Sequence, residues 1–395
     1  MSRAAWLAAI VGSIVVITGQ GSGFKVLEKI FYKIKTKGFK FFAGILVICL
    51  LIAIFAGMYY LKKDSADGRL LMWKVSISAI AKHPLGVGMG HFPNAYGEAQ
   101  AAYFASGKAS LAEEYLAGNP EYGFNEFLQI AIESGIAALL FFFGMLVCAF
   151  KGLINSKNWG VIGALVALLV FACFSYPFSI LPFLIVFVFL LAMSLPEKEN
   201  TQIRQICANK KPVLYHSISS ICIPTICMLV TTFSLWKQYP VYEAYKQRKY
   251  NQSYYRMGMY KEAITNYESL YPYLNDQITF LFEYGRSLSQ AEQPEKSNEV
   301  LKRAMQISCD PMLYNIMGKN YQAMKEYALA EESFQKSSLI VPNRVYPYYL
   351  LMKLYLETGE DTKAKAASQI VLTKEPKVQS TAVNEMREEA KKVEK

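Results

Sequence analysis

The feature that most constrains this chain is a polar stretch enclosed by two strongly apolar ones. Residues 41–61 form an apolar run of about 20 residues, the length that a membrane-spanning helix needs, and a second apolar run begins at residue 135. The intervening residues 68–134 are polar and interrupted by Gly and Pro, so they cannot lie in lipid, where every backbone polar group needs an internal partner. We therefore predict a membrane protein with a folded loop of roughly 70 residues outside the lipid, the kind of segment that commonly carries function.

The distribution of basic residues predicts how the chain crosses the membrane. The 395 residues carry a formal net charge of +11, and much of the excess lies in residues 23–40 and 197–217, beside apolar runs. Such loops are typical of the cytoplasmic side of a membrane. We therefore attribute the net charge to membrane topology rather than to nucleic-acid binding. We predict six spans with both ends outside, over residues 4–18, 41–61, 135–150, 159–174, 180–193 and 218–236.

A repeat is visible in the last third of the chain. The small residues Ala263, Ser297, Ala330 and Ala364 recur at intervals of 34, 33 and 34, which is the tetratricopeptide period. We predict about four tetratricopeptide repeats over residues 241–376, followed by a charged tail from Lys377. In such stacks each repeat contacts its neighbours, so we expect this region to fold by itself and to bind a peptide or protein; the alternative is a spacer that only stabilises the membrane part.

These observations give the predicted fold class and domain boundaries. The fold is all-α: a polytopic helical membrane bundle, a helical extracytoplasmic loop and a C-terminal tetratricopeptide α-solenoid. Residues 1–61 hold two transmembrane helices and a basic cytoplasmic loop, and residues 62–135 form the large extracytoplasmic loop. Residues 136–236 hold four transmembrane helices, and residues 237–395 form the repeat domain.

Local signals predict helices inside the loop. Leu70, Trp73, Ile77 and Ile80 fit one apolar stripe of a helix that stops at His83. Ser110 and Glu113 have the spacing of a capping box. The GVGMG run at residues 86–90 follows a helix rather than a strand and lacks the P-loop Lys, so we interpret it as a turn rather than a phosphate loop.

The order of several segments resembles a known family. An Arg before a Trp-bearing helix, then HPLGVGMGHF, then FNEFLQIAIESGIAALLFF, resembles the large loop of the O-antigen ligase and polymerase superfamily, and the resemblance covers roughly residues 1–195. It implies an enzyme of the bacterial cytoplasmic (inner) membrane that transfers a glycan from a polyprenyl diphosphate carrier, with loop and repeats in the periplasm. Members usually have about twice as many spans, so we expect a C-terminal part of a longer protein or a short member.

Two arginines match the positions where the superfamily places residues thought to hold the lipid diphosphate. These are Arg3 and Arg69, and a guanidinium suits the task because its planar fork donates two parallel hydrogen bonds. The residues alone leave a helix-end or headgroup contact open for Arg69 and an interface anchor open for Arg3. Lys74 is predicted as a secondary anion contact.

The catalytic candidates are His91 and Glu126. Glycosyl transfer to a hydroxyl needs a base or an orienting group. Superfamily ligases are expected to carry a His just before the Asn that opens the last loop helix, whereas Phe124 stands there in this chain, which counts against a standard lipopolysaccharide ligase mechanism. For Glu126 the alternative is a favourable charge at a helix N-terminus. Tyr122, Asn125 and Gln129 are predicted to bind sugar hydroxyls.

The leading hypothesis is a ligase or polymerase that acts on a lipid-linked glycan and delivers it to a lipid acceptor, a protein acceptor or another carrier-linked unit. The repeats suggest a protein partner. No cofactor, metal ion or nucleic acid is predicted. The alternative is a non-catalytic, membrane-anchored tetratricopeptide scaffold derived from such a transferase, and a transporter ranks third.

Overall fold

The computed structural model describes residues 3–21, 62–195 and 214–394, with the side chains of 214–224 excepted. The described residues contain helices and no strands. The predicted span 41–61 and most of the predicted basic loops lie outside them. The helices of the first half are α1 (Arg3–Gly19), α2 (Lys63–Lys82), α3 (Phe92–Ala105), α4 (Leu111–Leu116), α5 (Glu126–Asn155), α6 (Trp159–Ala172) and α7 (Leu181–Ala192), with a 3-10 turn at Pro177–Ser179.

The second half contains one long helix and then a series of short ones. In chain order they are α8 (Leu214–Arg256), α9 (Tyr260–Leu274), α10 (Ile278–Gln290), α11 (Pro294–Ile307), α12 (Pro311–Ala323), α13 (Tyr327–Ile340), α14 (Tyr346–Thr358), α15 (Asp361–Thr373) and α16 (Thr381–Glu394). The chain divides into two compact units. The first comprises Met1–Pro196, Met305–Gly318 and Lys325–Lys395, and the second comprises Glu197–Ala304 and Lys319–Met324.

Within the described residues, one helix is long and apolar enough to cross a membrane. This is α5, with 30 residues, whereas the apolar helices α1, α6 and α7 have 17, 14 and 12 residues. The bundle of six spans therefore stays a prediction.

Small residues bring α1 and α6 into close contact. A Cβ atom at Gly12 would lie 2.6 Å from the Gly163 carbonyl oxygen, and one at Gly19 would overlap the Trp159 ring. Glycines at such positions let two backbones approach, which is the usual basis of helix packing in membranes. The contact fixes α1, and Arg3 at its first turn, against the rest of the first unit.

The last loop helix does not run straight into the apolar segment. Gly135 has φ 87° and ψ 168°, which kinks α5 and separates its polar start from its apolar remainder. The glycine-rich segment packs into this kink: Val87 N donates to Ile132 O (3.0 Å), Gly88 N to Glu133 O (2.9 Å) and Ile136 N to Pro84 O (3.0 Å). The predicted turn at residues 86–90 is confirmed, and it braces the junction between loop and span.

The predicted helix is confirmed, since α2 ends at Lys82 with His83 as its C-cap, but the face that carries the predicted stripe is not the most buried one. Leu71, Val75 and Ala79 are buried in the loop core, whereas Leu70 and Ile77 are 56% and 60% exposed. Both faces of α2 carry apolar side chains, so the spacing did not single out the buried one. The predicted capping box on α4 is confirmed, because Ser110 and Glu113 each accept a hydrogen bond from the other's backbone N–H.

The tetratricopeptide period matches pairs of helices in the structure. Ala263, Ser297, Ala330 and Ala364 are all fully buried, as small residues between paired helices must be. The predicted charged tail from Lys377 is instead largely the helix α16, whose Ala390 is fully buried and accepts a hydrogen bond from Ser368 Oγ (2.8 Å).

The expectation that repeats contact only their neighbours is wrong for the last two, and also for the end of α11, where Asn94 of α3 donates to Met305 O. Asn343 Nδ2 donates to three loop carbonyls, those of Glu114 (3.2 Å), Tyr115 (3.0 Å) and Ala117 (2.7 Å). In the opposite direction, Gln100 of the loop helix α3 donates a hydrogen bond to Ile340 O, at the end of α13, at 2.5 Å. The loop and the two C-terminal repeats thus form one folded body, which places them on the same side of any membrane that the apolar helices cross.

The second unit holds the first two repeats up to Ala304 and has its own polar network. Arg248 donates through Nε and Nη2 to the two carboxylate oxygens of Glu283 (3.1 and 3.0 Å), and Tyr267 donates to the same carboxylate (3.2 Å). The buried Asn251 donates to Ala263 O at 3.0 Å. These contacts join helices α8, α9 and α10 to one another.

Candidate functional site

A cleft of about 500 Å³ opens beside Arg69 within the first unit. Helix α2 provides Arg69, and the segment after α4 provides Asn119 and Phe124. The remaining polar and aromatic residues of the lining are Ser65, Tyr96, Tyr115, Lys377 and one acidic residue, Asp64. The Lys377 contribution comes from the segment before α16, so the C-terminal repeats help to build the cleft.

The Arg69 guanidinium lies over an aromatic ring. Its Cζ atom is 5.6 Å from the centre of the Phe124 ring, a cation–π distance. Phe124 itself has φ 46°, a conformation that costs energy for a residue with a side chain. Its ring also meets the edge of Tyr176 (5.1 Å), and Tyr176 stacks on Tyr122 (4.6 Å). An arginine and three aromatic rings therefore stand next to one another.

A second arginine influences the first. Burial lowers the pKa of Arg69, and the positive charge of Arg3 lowers it further. Both effects disfavour the charged guanidinium, and an anion that binds there would relieve both. Within the described parts of the chain, no acidic side chain forms an ion pair with Arg69. The two arginines predicted to hold a diphosphate are thus electrostatically coupled.

Lys74 forms hydrogen bonds with residues that do not line the Arg69 cleft. Its Nζ donates to Tyr103 Oη (2.6 Å) and to Glu113 Oε1 (2.8 Å), and Glu113 also serves the capping box of α4. These partners raise the pKa of Lys74, chiefly through the hydrogen bond to Glu113. Lys74 does not line the Arg69 cleft, and its anion-binding role stays a prediction.

The predicted sugar-binding residues have structural tasks around the start of α5. Asn125 Oδ1 accepts from Phe127 N (3.1 Å) and Leu128 N (3.2 Å), which makes it the N-cap. Gln129 Oε1 accepts from Gly123 N at 3.1 Å, which fixes the segment that carries Phe124. Tyr122 stacks on Tyr176, as described above. These residues support the aromatic group beside Arg69 but do not line the cleft.

His91 lies at the end of the glycine turn and is half-buried, and like Glu126 it does not line the Arg69 cleft. Its Nδ1 is 3.0 Å from Met89 O, and because a carbonyl only accepts, Nδ1 carries the proton and Nε2 of the neutral ring is an acceptor. Glu133 is close enough for the two charges to interact. Burial raises the pKa of Glu133, although the backbone N–H groups of Phe92 and Gly90 oppose the rise.

Glu126 is 3% exposed and lies before the Gly135 kink, on the loop side of the apolar segment. Its Oε1 accepts a hydrogen bond from Phe178 N at 2.6 Å, which ties α5 to the 3-10 turn. Burial raises the pKa of Glu126 to about 7, so it exchanges a proton near neutral pH. A carboxyl of this pKa is suited to acid–base chemistry, but Glu126 does not line the Arg69 cleft.

Sequence reasoning missed Phe124, Tyr176 and Lys377. A chain motif cannot reveal them, because Tyr176 follows α6 and Lys377 is more than 300 residues from Arg69 in sequence. The position of Phe124, directly before the N-cap Asn125, was noted only for the His that it replaces.

Comparison with known proteins identifies the first third of the chain. Residues 1–143 match the family model described as O-Antigen ligase, with the short name Wzy_C. No curated protein sequence matches the chain. Among solved structures, "Crystal structure of MamA protein" is 19% identical over 38% of this chain and 87% of its own, with a TM-score of 0.30. "MamA RS-1 ArsTM double mutant" is 18% identical over 38% and 94%, with a TM-score of 0.32.

The repeats of this chain are identified by their own period and helix pairs. The family model covers α1, the whole loop and the start of α5, including Arg3, Arg69, His91, Tyr122 and Phe124, whereas Tyr176 follows the matched residues. Residues 1–143 are therefore a domain of the O-antigen ligase family, joined in this chain to C-terminal tetratricopeptide repeats.

Proposed function

We propose that this chain transfers a glycan from a polyprenyl diphosphate carrier to an acceptor at the outer face of the bacterial cytoplasmic membrane. The observation that carries the proposal is the half-buried Arg69, which opens on a cleft while the charge of Arg3 lies close enough to lower its pKa. The O-antigen ligase family match over residues 1–143 supports a glycan-transfer class.

The electrostatics of the two arginines suit a diphosphate. Two guanidiniums that repel each other in a partly desolvated site are stabilised by an anion that bridges them, and a diphosphate offers two phosphates for two guanidiniums. Because the Arg69 guanidinium also lies over Phe124, its plane is held and fewer rotamers remain to be lost on binding.

The aromatic group next to Arg69 is suited to the sugar attached to the diphosphate. Flat rings offer an apolar face to the C–H side of a pyranose, and Phe124 and Tyr122 both belong to the stack around Tyr176. In this proposal the diphosphate lies at Arg69 and the first sugars extend toward these rings.

The proposed chemistry is the displacement of the diphosphate by an acceptor hydroxyl. The hydroxyl oxygen bonds to the anomeric carbon, the bond from that carbon to the phosphate oxygen breaks, and the carrier diphosphate leaves. We assign the hydroxyl proton to Nε2 of His91, because its Nδ1 is already bonded to Met89 O and a carboxyl group, that of Glu133, lies near the ring. Glu126 is the second candidate for this proton.

Replacement of Arg69 tests the proposal. Arg69→Lys keeps the charge but loses the fork, so we expect glycan transfer to fall at least about tenfold, and Arg69→Ala to abolish it. Transfer is measured as glycan display in the source cell, or with purified full chain and lipid-linked glycan, at matched protein levels. Lys108→Ala, an exposed loop lysine, is the control and should transfer normally.

Normal transfer by both Arg69 variants would contradict the diphosphate role. It would favour the alternative of a non-catalytic membrane-anchored scaffold, since a headgroup anchor tolerates Lys in place of Arg.

A further inference from the structure

A second cleft, of about 490 Å³, lies where the loop meets the last repeat, within the first unit. One wall is loop residues 117–119, a second is the turn and helix start at residues 341–346, and a third is residues 376–386 before and within α16. It shares Gly118, Asn119 and Lys377 with the Arg69 cleft, so the two clefts meet at one loop segment.

The lining of this second cleft is mostly aliphatic, with a basic component. Val341, Val345 and Val383 contribute aliphatic surface, and Met312 and Met386 contribute flexible thioethers, which adapt to side chains of different shape. Two cations, Arg344 and Lys377, line it, and none of its lining residues is acidic. A ligand with apolar groups and negative charge is complementary to such a surface.

One polar atom at the junction of the clefts lacks a partner. Asn119 Oδ1 is buried and accepts no hydrogen bond from the described residues. A buried amide oxygen without a donor carries a desolvation cost, so the loop segment that the two clefts share is locally destabilised. A glycan would be expected to need more aromatic surface than Tyr346, the single aromatic residue of the lining.

We infer that the second cleft binds an extended polypeptide segment that carries apolar and acidic side chains, and that this polypeptide is the acceptor. The role of this polypeptide as the acceptor rests on the proposed function, whereas its binding to the second cleft does not. A polypeptide held there reaches the Arg69 cleft across residues 118 and 119, so the repeats present the acceptor to the donor.

The test uses the purified full chain and two fluorescein-labelled peptides of about 12 residues, roughly 40 Å when extended. One is composed of Glu, Leu and Ser, and the other has Lys in place of each Glu. We expect the acidic peptide to bind and to lose at least about tenfold in affinity with Arg344→Glu and with Met386→Glu, which act from different elements. Lys365→Glu, an equal charge change on exposed α15 surface, should leave its affinity unchanged.

Binding of undecaprenyl diphosphate to the same proteins separates the two proposals. We expect Arg69→Ala to weaken the lipid and not the peptide, and Arg344→Glu to weaken the peptide and not the lipid. Equal binding of both peptides, no binding of either, or an acidic peptide unaffected by Arg344→Glu and Met386→Glu overturns the polypeptide subsite. Lipid binding that Arg69→Ala leaves unchanged overturns only the proposed function.

Discussion

The two pairs of repeats share one motif and use their polar side chains in opposite ways. In the first pair, Arg248, Asn251 and Glu283 bond within the pair. In the last pair, Asn343 and Lys336 bond to the loop, Lys336 through Glu98 at 2.5 Å. Both pairs bury the small residues of the repeat motif, which are Ala263 and Ser297 in the first pair and Ala330 and Ala364 in the last. The motif thus fixes the helix pair, and the remaining positions decide whether the pair stabilises itself or another part of the protein.

Overpacking at the motif position should give the largest contrast between the pairs. Ala330→Trp forces a large ring between paired helices and should cost about 3 kcal/mol or more, because Ala330 is fully buried. Since this pair holds the loop, hydrogen exchange in α3 should rise as well. Ala263→Trp should destabilise the first pair as much and leave exchange in α3 unchanged. Unchanged hydrogen exchange in α3 of the Ala330→Trp variant would show that the stability of the loop does not depend on the repeats.

Removal of the loop should expose a specific thiol. Cys309 is fully buried, and Gly97 of α3 packs directly on it. Burial raises its pKa to about 12, so the thiolate is scarce in the intact chain. In a fragment of residues 239–395, which we expect to remain helical, maleimide labelling of Cys309 should be roughly a hundredfold faster, as expected for an uncovered thiol of ordinary pKa. Peptide mapping by mass spectrometry measures it, and equal slow labelling of both would refute the packing.

Two buried asparagines allow a matched substitution. Asn343→Asp places a carboxylate against three carbonyl oxygens and should cost about 2–3 kcal/mol, with faster hydrogen exchange at residues 111–119. Asn251→Asp should destabilise the first pair and leave that loop segment unchanged. The exposed Asn384→Asp on α16 serves as the control. Loop exchange that responds equally to both buried variants would remove the distinction between the pairs.

The smallest effect concerns one ion pair from each pair of repeats. Arg248→Lys loses the two-point contact with Glu283. The side chains of both residues are mostly buried, so the loss should cost about 1–2 kcal/mol. Lys336→Ala removes a more exposed contact with Glu98, 29% and 45% exposed, and should cost about 0.5 kcal/mol. Thermal unfolding in detergent measures both, and a larger loss for Lys336→Ala would reverse the ranking.

The sequence carried the features that repeat or that act locally. The 34-residue period was visible because each repeat needs a small residue in one place, and Ser110 with Glu113 lie only three residues apart. The buried face of α2 could not be predicted, because apolar side chains occur on both of its faces. The docking of Asn343 was invisible for a different reason: a bond from one amide to carbonyls more than 220 residues away leaves no pattern in a single sequence.

Separation along the chain also decided which residues of the site could be predicted. Arg3 and Arg69 were predicted by resemblance to a family whose motifs are local, and His91 by its place after the glycine turn. Phe124, Tyr176 and Lys377 were missed because tertiary packing, rather than spacing, brings them to Arg69. Asn125 and Gln129 were identified as polar residues of one helix face, but their amides proved to cap and brace the backbone.

The contribution of Lys377 to the Arg69 cleft has a consequence for biogenesis. Ribosomes make the chain from its N-terminus, so the loop wall of the cleft is complete about 240 residues before Lys377 exists, a delay of roughly 12–50 s. During that time a nascent chain carries both arginines but lacks the last wall of the cleft. Synthesis of the final segment therefore completes the cleft, and a prematurely terminated chain would have an open, incomplete one.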